Sequence, residues 1–438
     1  MDTNSEILIV GAGVFGISTA YHLAKRSPNP SAITILDRAP PPSGDAASTD
    51  LNKIIRADYS SPLYMKLALE AIEAWRNEPL FEEAGVYHQT GWIMMDERGS
   101  DLSRRIRKTF LQVHGSDPAQ DLTQDEVRRH WSGALQDADL SPFGSYYFNP
   151  LAGWADAGRA LQIMAEEVIR MGVRYELGEA RRLLPGDRGV KGVQTLRGDI
   201  FTADKILLST GAWTSQLMTS IEDDLEMPES DRVESQMTAA GVSVAHLQLS
   251  TEEKGLYDQL PVCVYGGQEV IPPTPSGILK FTNSTSFKNT IQTSTGHSLS
   301  VPPAGSQSVV PKPLQKVSHD CIRARLPRLL DNNRSVDFYR ICWDAITPDQ
   351  HPVISRHPHP QLSNLYLAAG GSFHCWKFLP IMGSCVTNVL DGVSNGADRD
   401  AAWAWKAAPQ RQGQGVHDTL APTQELRDYE SSTAGSRQ

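Results

Sequence analysis

Residues 7–16 read Ile7-Leu8-Ile9-Val10-Gly11-Ala12-Gly13-Val14-Phe15-Gly16, and residues 33–37 read Ile33-Thr34-Ile35-Leu36-Asp37. Unbroken apolar residues ahead of a glycine turn are the pattern of a parallel strand buried on both faces. Ala20 and Leu23 then mark one face of a helix, and the second apolar run completes a βαβ unit. The three glycines have separate tasks: Gly11 permits the tight turn, Gly13 lets the backbone approach a pyrophosphate, and Gly16 lets the helix pack closely. The helix opening at Val14 and Phe15 offers unpaired N–H groups and a positive dipole end to the phosphates. Asp37 lies about 20 positions beyond Gly16, the spacing at which a carboxylate meets a ribose hydroxyl. These features predict a dinucleotide site, with an incidental glycine-rich turn as the competing reading. They do not separate FAD from NAD.

With 438 residues, 40% of them hydrophobic, the chain can bury a large core and is expected to fold as two interlocked domains. A formal net charge of −10 without a basic stripe argues against nucleic acid as a partner and favours small organic molecules. Cys263, Cys321, Cys342, Cys375 and Cys385 lack the paired spacing of a zinc site or a disulfide framework, which fits a reducing compartment. No apolar run reaches the roughly 20 residues that span a bilayer. The short run at Ile7 lacks the basic start of a secretory signal, and Ser436-Arg437-Gln438 is not a Ser-Lys-Leu-type peroxisomal ending. A soluble, intracellular and cytoplasmic monomer is the expectation.

Leu67, Ala68, Ala71, Ile72 and Trp75 recur at helical spacing and predict a helix over 63–75. Leu161, Met164, Ala165 and Val168 predict another behind Asp156 as N-cap. The strand-like Lys205–Ser209 leads into Thr210-Gly211-Ala212-Trp213, where the nucleotide domain resumes. Between Met218 and Arg334, runs such as Gly241–Leu249 and Val262–Tyr265 suit antiparallel strands with one wet face. The Ser-, Thr- and Pro-rich stretch Asn283–Pro313 reads as a surface excursion, a passive loop more than a lid. The expected division is a discontinuous nucleotide domain (1–85, 150–215 and 335–405), a second domain (86–149 and 216–334) and a flexible tail (409–438).

Further along stand Ile341-Cys342-Trp343-Asp344 and Gly370-Gly371-Ser372-Phe373-His374-Cys375-Trp376-Lys377-Phe378. Together with the glycine motif, these segments resemble the sarcosine oxidase and amadoriase (fructosyl amino acid oxidase) family. Its members are flavoenzymes that hold FAD covalently and oxidise secondary amines of amino acids. The likeness extends to about Trp405 and is of fungal type. It implies an α/β (α+β) two-domain fold, with a glutathione-reductase-like FAD domain and an antiparallel-sheet substrate domain. The implied reaction is hydride transfer from the carbon beside a secondary amine to the flavin, giving an imine, with dioxygen reduced to hydrogen peroxide.

The resemblance also assigns roles. Cys342 matches the cysteine joined to the flavin as a thioether, a bond that requires a thiolate; Cys375 and Cys385 are read as structural. Ser209 to Trp213, including Gly211 and Trp213, matches a segment closing over the FAD. Val173 matches a backbone contact to adenine, and Arg38, Ser48 and Thr49 match other FAD-contacting stretches. Gly371, Ser372 and Phe373 match the loop whose following helix points its N-terminus at the flavin's pyrimidine side. His374 matches a histidine beside the substrate. Lys377 and Arg56 match the two halves of a clamp for the substrate carboxylate, and Lys53 matches a basic residue near the flavin. Lys280 matches the lysine that activates dioxygen, where a fixed positive charge favours the developing superoxide anion.

Two positions depart from the family pattern. Ser284 stands four residues after Lys280, where amadoriases carry the acidic residue that binds sugar hydroxyls, and Asp344 replaces a tyrosine of the sarcosine oxidase site. The expected substrate is therefore an N-methyl, N-alkyl or cyclic amino acid with a free carboxylate. Alternatives are an amadoriase, a natural-product tailoring oxidase that cyclises the imine, a non-catalytic flavin-binding protein, and, outside the family, an NAD-dependent dehydrogenase.

Overall fold

A computed structural model describes residues 2–187, 189–305, 307–407 and 424–434. The strand Asp2–Val10 has parallel neighbours on both sides, Ile33–Asp37 and Ile200–Leu208. Leu8 and Ile9 are fully enclosed, which is why this segment shows no apolar–polar alternation. The sheet extends through Arg174–Leu177 at one side and through Leu365–Ala369 and Val353–Arg356 at the other. A hairpin, Ala180–Gly186 with Gly189–Thr195, pairs with the start of Ile200–Leu208.

The helix Val14–Arg26 packs on this sheet beside Ala157–Arg170 and Met382–Leu390. Its contact with the last is so close that a Cβ at Gly383 would lie 1.9 Å from the Ser18 carbonyl oxygen. The predicted helix at 63–75 is observed as Pro62–Asn77. Asp156 stands at the N-cap of Ala157–Arg170 but does not cap it; its carboxylate meets His88 Nε2 at 2.8 Å.

A second sheet runs in the order Phe338–Ile346, Thr238–Gln248, Ile278–Lys288, Gln268–Ile271, Val262–Tyr265, Trp92–Glu97, Phe143–Asn149, Gln120–Asp121. It is antiparallel along this path except where Val262–Tyr265 lies parallel to Trp92–Glu97. Side chains alternate between its faces. One face, with Ala245, Leu247, Leu279, Phe281, Cys263 and Ile93, shares a core with Ile322 and Leu326 at the end of the helix Lys312–Arg325. Lys280, Trp92 and Cys342 belong to the opposite face, which turns toward the parallel-sheet unit.

Three expectations need correction. Phe338–Ile346 was placed with the nucleotide-binding segments, yet it pairs with Thr238–Gln248 along its whole length in the second sheet. Asn283–Pro313 is not an irregular excursion: its first residues continue the strand Ile278–Lys288, and Thr290–Gln292 pairs with Ser298–Ser300 as a hairpin. Thr295 donates to Asp223 at 3.0 Å, tying that hairpin to the helix Thr214–Asp224. Within the expected tail, Gln424–Glu425 adds to the second sheet beside Phe287 and Lys288, and Leu426 is buried against Phe287 and Trp343. The sequence signal was weak there because one buried leucine and a backbone pairing carry the anchorage. Leu426–Ala434 is helical, and tail positions 409–423 and 435–438 lie outside the described residues.

Candidate active site

A cavity of about 980 Å³ takes its walls from both sheets. Gly11, Gly13, Val14, Phe15, Asp37 and Arg38 line its middle, with Ser48, Gly211 and Trp213 beside them. One end is bounded by Gly178 to Arg182, the other by Lys53, Cys342, Asp344, Gly371 and Phe373. Ile291, Thr293 and Leu299 of the 290–300 hairpin also reach it, so the supposed passive loop forms a wall.

The walls fit a dinucleotide. A Cβ at Gly11, whose φ is +100°, would lie 2.5 Å from the Ser209 carbonyl oxygen, and one at Gly16 would lie 1.9 Å from that of Gly11. Those two glycines serve the turn and the helix contact. A Cβ at Gly13 would approach only Ser48, 3.1 Å from its Oγ, so this position keeps the backbone open to the cavity. The helix starting at Val14 has no side-chain cap on its N-cap residue, although Val14 N–H donates to Ser48 Oγ at 2.8 Å. The buried hydroxyl of Ser209, on the cavity wall, has no partner among the described residues, which leaves it available to a ligand. Arg38 stacks on Trp213 with its guanidinium carbon 4.0 Å from the ring centre.

Val173 is not brought to the cavity. It is buried at the start of Arg174–Leu177 in the core shared with Val168, whereas the cavity meets the far end of that strand at Gly178. Backbone contacts to a ligand's ring at this end would come from Gly178 to Ala180. Thr49, Gly16 and Ser372 likewise sit behind the wall.

At the other end, Asp50 binds two lysines. Lys280 Nζ lies 2.5 Å and Lys53 Nζ 3.0 Å from Asp50 Oδ2, and Lys280 also donates to the Asn52 carbonyl at 2.8 Å. Burial opposes ionisation of Asp50, but the two ammoniums outweigh it and hold its carboxyl below the usual range. Burial pushes the Lys280 pKa down, against the pull of Asp50, while Lys53 is raised because Asp50 overcomes its desolvation. Cys342 is buried on Phe338–Ile346 within the electrostatic reach of both lysines.

A second cluster forms around Tyr59. Lys377 Nζ donates to Tyr59 OH at 2.7 Å and to the His374 carbonyl at 2.6 Å. Arg56 stacks between rings, 4.7 Å from Tyr59 and 4.6 Å from Trp92, and donates to the Asp58 carbonyl. Tyr59 OH is 3.2 Å from His374 Nδ1, and His374 Nε2 is 2.8 Å from the Gln350 carbonyl. The carbonyl requires a donor, so the proton sits on Nε2 and Tyr59 donates to Nδ1. Burial first, then Lys377, keeps this imidazole well below the ordinary histidine pKa and therefore neutral. Burial and the neighbouring Arg56 also hold Lys377 well below the usual lysine range.

Residues 6–389 match the family model of the FAD dependent oxidoreductases. The chain belongs to this family. It is 30% identical over 426 residues to L-saccharopine oxidase of Schizosaccharomyces pombe, covering 91% of this chain and 93% of that one. It is 24% identical to monomeric sarcosine oxidase of a Bacillus species, covering 89% and 93%. Its structure superposes on fructosamine oxidase (Amadoriase II) of Aspergillus fumigatus with a TM-score of 0.82 at 29% identity, covering 97% and 96%. An FAD-dependent oxidoreductase with this fold sets aside the NAD-dependent dehydrogenase. No helix among the described residues is long and apolar enough to cross a membrane.

In this FAD-dependent oxidoreductase, the expected helix behind Gly370–Phe373 is only a 3-10 turn, Cys375–Phe378, and the longer helix starts at Met382. Pro380, lacking an N–H, prevents a continuous helix through this stretch. The turn itself is tight: Gly370, Ser372 and Phe373 have φ of 86°, 49° and 58°. Asp344 braces it, accepting from Phe373 N–H at 2.8 Å and from Ala345 N–H at 2.9 Å. The dipole reading of this loop is therefore withdrawn.

Sequence reasoning missed Tyr59, Asp50 and Arg340. Arg340 donates to the carbonyls of Gly44, Ala46 and Thr49 and so fixes the loop that carries Ser48. Alternation along Phe338–Ile346 puts Arg340 on the same face as Cys342, which was a usable signal.

Proposed function

We propose that this enzyme oxidises the carbon–nitrogen bond of a secondary amine in a carboxylate-bearing amino acid and passes the electrons to dioxygen, releasing hydrogen peroxide. The observation that carries this reading is the convergence of Arg56 and Lys377 on Tyr59. Two cations with one shared neutral partner form a site for an anion, and the guanidinium plane suits a carboxylate. Relatives that act on L-saccharopine, sarcosine and fructosamine support an amine substrate.

FAD, when bound, supplies the two-electron chemistry. Gly13, Ser48 and the start of the Val14 helix would hold its pyrophosphate, and Lys53, Cys342 and Phe373 would surround its ring. Arg56 and Lys377 fix the substrate carboxylate, which orients the adjacent carbon. Neutral His374 and Tyr59 keep the clamp aligned, and their burial keeps water out. Lys280, held by Asp50 behind the end of the cavity that Lys53 and Cys342 line, supplies a fixed positive charge there.

The covalent link through Cys342 is part of the proposal. Acid precipitation of the wild type should leave the yellow colour in the pellet, whereas Cys342→Ala should release it to the supernatant. Complete release from the wild type removes the link, and retention by the variant removes Cys342 as its site.

A second expectation concerns protons. A substrate carboxylate beside Lys377 offsets both burial and Arg56, so the Lys377 pKa rises on binding. Binding therefore takes up protons and weakens as pH climbs past the free-enzyme pKa of Lys377. Calorimetry with a non-oxidisable carboxylate such as methoxyacetate should give heats that depend on buffer ionisation enthalpy, and Lys377→Met should lose that dependence. Buffer-independent heats in the wild type refute the shift.

A further inference from the structure

The hairpin of Thr290–Gln292 with Ser298–Ser300 belongs to neither large sheet. Strands this short are not stable alone, so the hairpin sits where its fastenings put it. Ile291 and Leu299 stand directly opposite each other across the pair, and both line the cofactor cavity, as does Thr293 two residues beyond Ile291. Alternation therefore gives the hairpin one face toward the cavity and one away from it. The cavity face is apolar where Ile291 meets Leu299. Ile291 is still 39% exposed, a large side chain that a ligand in the cavity would cover.

The C-terminal segment fastens the base of this hairpin. Glu425 accepts from Thr290 N–H at 3.0 Å and from Thr290 Oγ1 at 2.7 Å, and Lys288 Nζ lies 3.4 Å from the same carboxylate. Glu425 is itself fixed, because Gln424–Glu425 pairs with Phe287 and Lys288, and Leu426 is buried beside it. On the other strand Ser300 Oγ donates to the Ala239 carbonyl at 2.7 Å, and at the tip Thr295 reaches Asp223, itself a cavity residue, at 3.0 Å. Glu425 gathers two bonds and an ion pair on one ionised carboxylate, the stronger kind of contact.

We propose that the 290–300 hairpin is a strap over the bound cofactor and that Glu425, 135 positions beyond Thr290, is the positioning residue that holds it closed. The inference rests on FAD occupying the cavity and makes no use of the carboxylate clamp. A fastened hairpin keeps Ile291 and Leu299 against the cofactor and their apolar surface out of water. A loose one uncovers the cavity beside Trp213, Gln216 and Ser220 and lets the cofactor leave.

Hydrogen exchange of the holoenzyme, followed by mass spectrometry, reads the strap directly. Amides of 290–300 should exchange about 10-fold or more faster in Glu425→Ala than in the wild type, the scale of losing a hydrogen bond to a charged group. The strand Val262–Tyr265 should not change. Glu425→Gln, which keeps an acceptor for one of the two bonds, should fall between them. In the Cys342→Ala background, where the flavin is free to leave, Glu425→Ala should also speed FAD release about 10-fold, read as the rise of flavin fluorescence on dilution. Equal exchange of 290–300 in variant and wild type overturns the inference. So does faster exchange spread through the whole second sheet, the mark of a merely structural anchor, or unchanged FAD release beside a loosened hairpin. Flavin that stays attached after the Cys342 substitution removes Cys342 as the link and leaves the exchange result to decide. No amine enters either measurement, so failure of the carboxylate clamp, seen as oxidation of carboxamides as readily as acids, is a separate result.

Discussion

Lys280→Met is expected to slow reoxidation of the reduced flavin by dioxygen about 100-fold or more, the effect of losing one preorganised electrostatic group. Its ammonium is buried and held in place by Asp50 and the Asn52 carbonyl. Two lysines share that single carboxylate, so the cluster keeps a net positive charge even though Asp50 is ionised. Dioxygen becomes an anion on taking its first electron, and a charge already fixed nearby stabilises it without reorganisation. Methionine fills similar space without the charge, and Asp50 retains Lys53. Stopped-flow mixing of reduced enzyme with oxygenated buffer reads the effect directly, while anaerobic reduction by substrate should change little. Equal reoxidation rates in variant and wild type remove Lys280 from this role.

The second large effect belongs to the clamp. Arg56→Ala or Lys377→Ala should lower kcat/KM more than about 30-fold, corresponding to roughly 2 kcal/mol, at the lower end of what truncating a buried charge pair costs. Arg56 lies between the Tyr59 and Trp92 rings, so alanine removes both the fork and the stacking that orients it. Lys377 reaches the same tyrosine from the other side. Steady-state peroxide release, with flavin absorbance as a check on folding, measures the loss. A change below about 3-fold in both variants places the substrate carboxylate elsewhere.

Much of this was legible in the sequence because the motifs are local. The turn at Gly11–Gly16 is dictated by backbone geometry within a few residues, and the alternation within 241–249 and 262–265 follows from one face meeting a core. Ile341–Asp344 and Gly370–Phe378 carried the resemblance through side chains within single short segments. What escaped was set by long-range pairing. Asp50 acquires its meaning only when Lys280, 230 positions away, folds onto it. Leu426 looked like part of a polar tail because its partners, Phe287 and Trp343, lie far back in the chain. Val173 lies one strand length from the cavity, because it is the far end of Arg174–Leu177, at Gly178, that reaches the wall.

The central claim is that a carboxylate-bearing secondary amine reduces the bound flavin. An anaerobic comparison of an N-methyl amino acid, its carboxamide and a fructosyl amino acid, each followed by bleaching of the flavin absorbance, tests it most directly. The acid should bleach the flavin at least about 30-fold faster than the carboxamide, matching the loss expected from the clamp variants, and faster than the fructosyl compound. Bleaching of the carboxamide at the same rate as the acid contradicts the clamp, and faster bleaching by the fructosyl compound makes the enzyme an amadoriase despite Ser284.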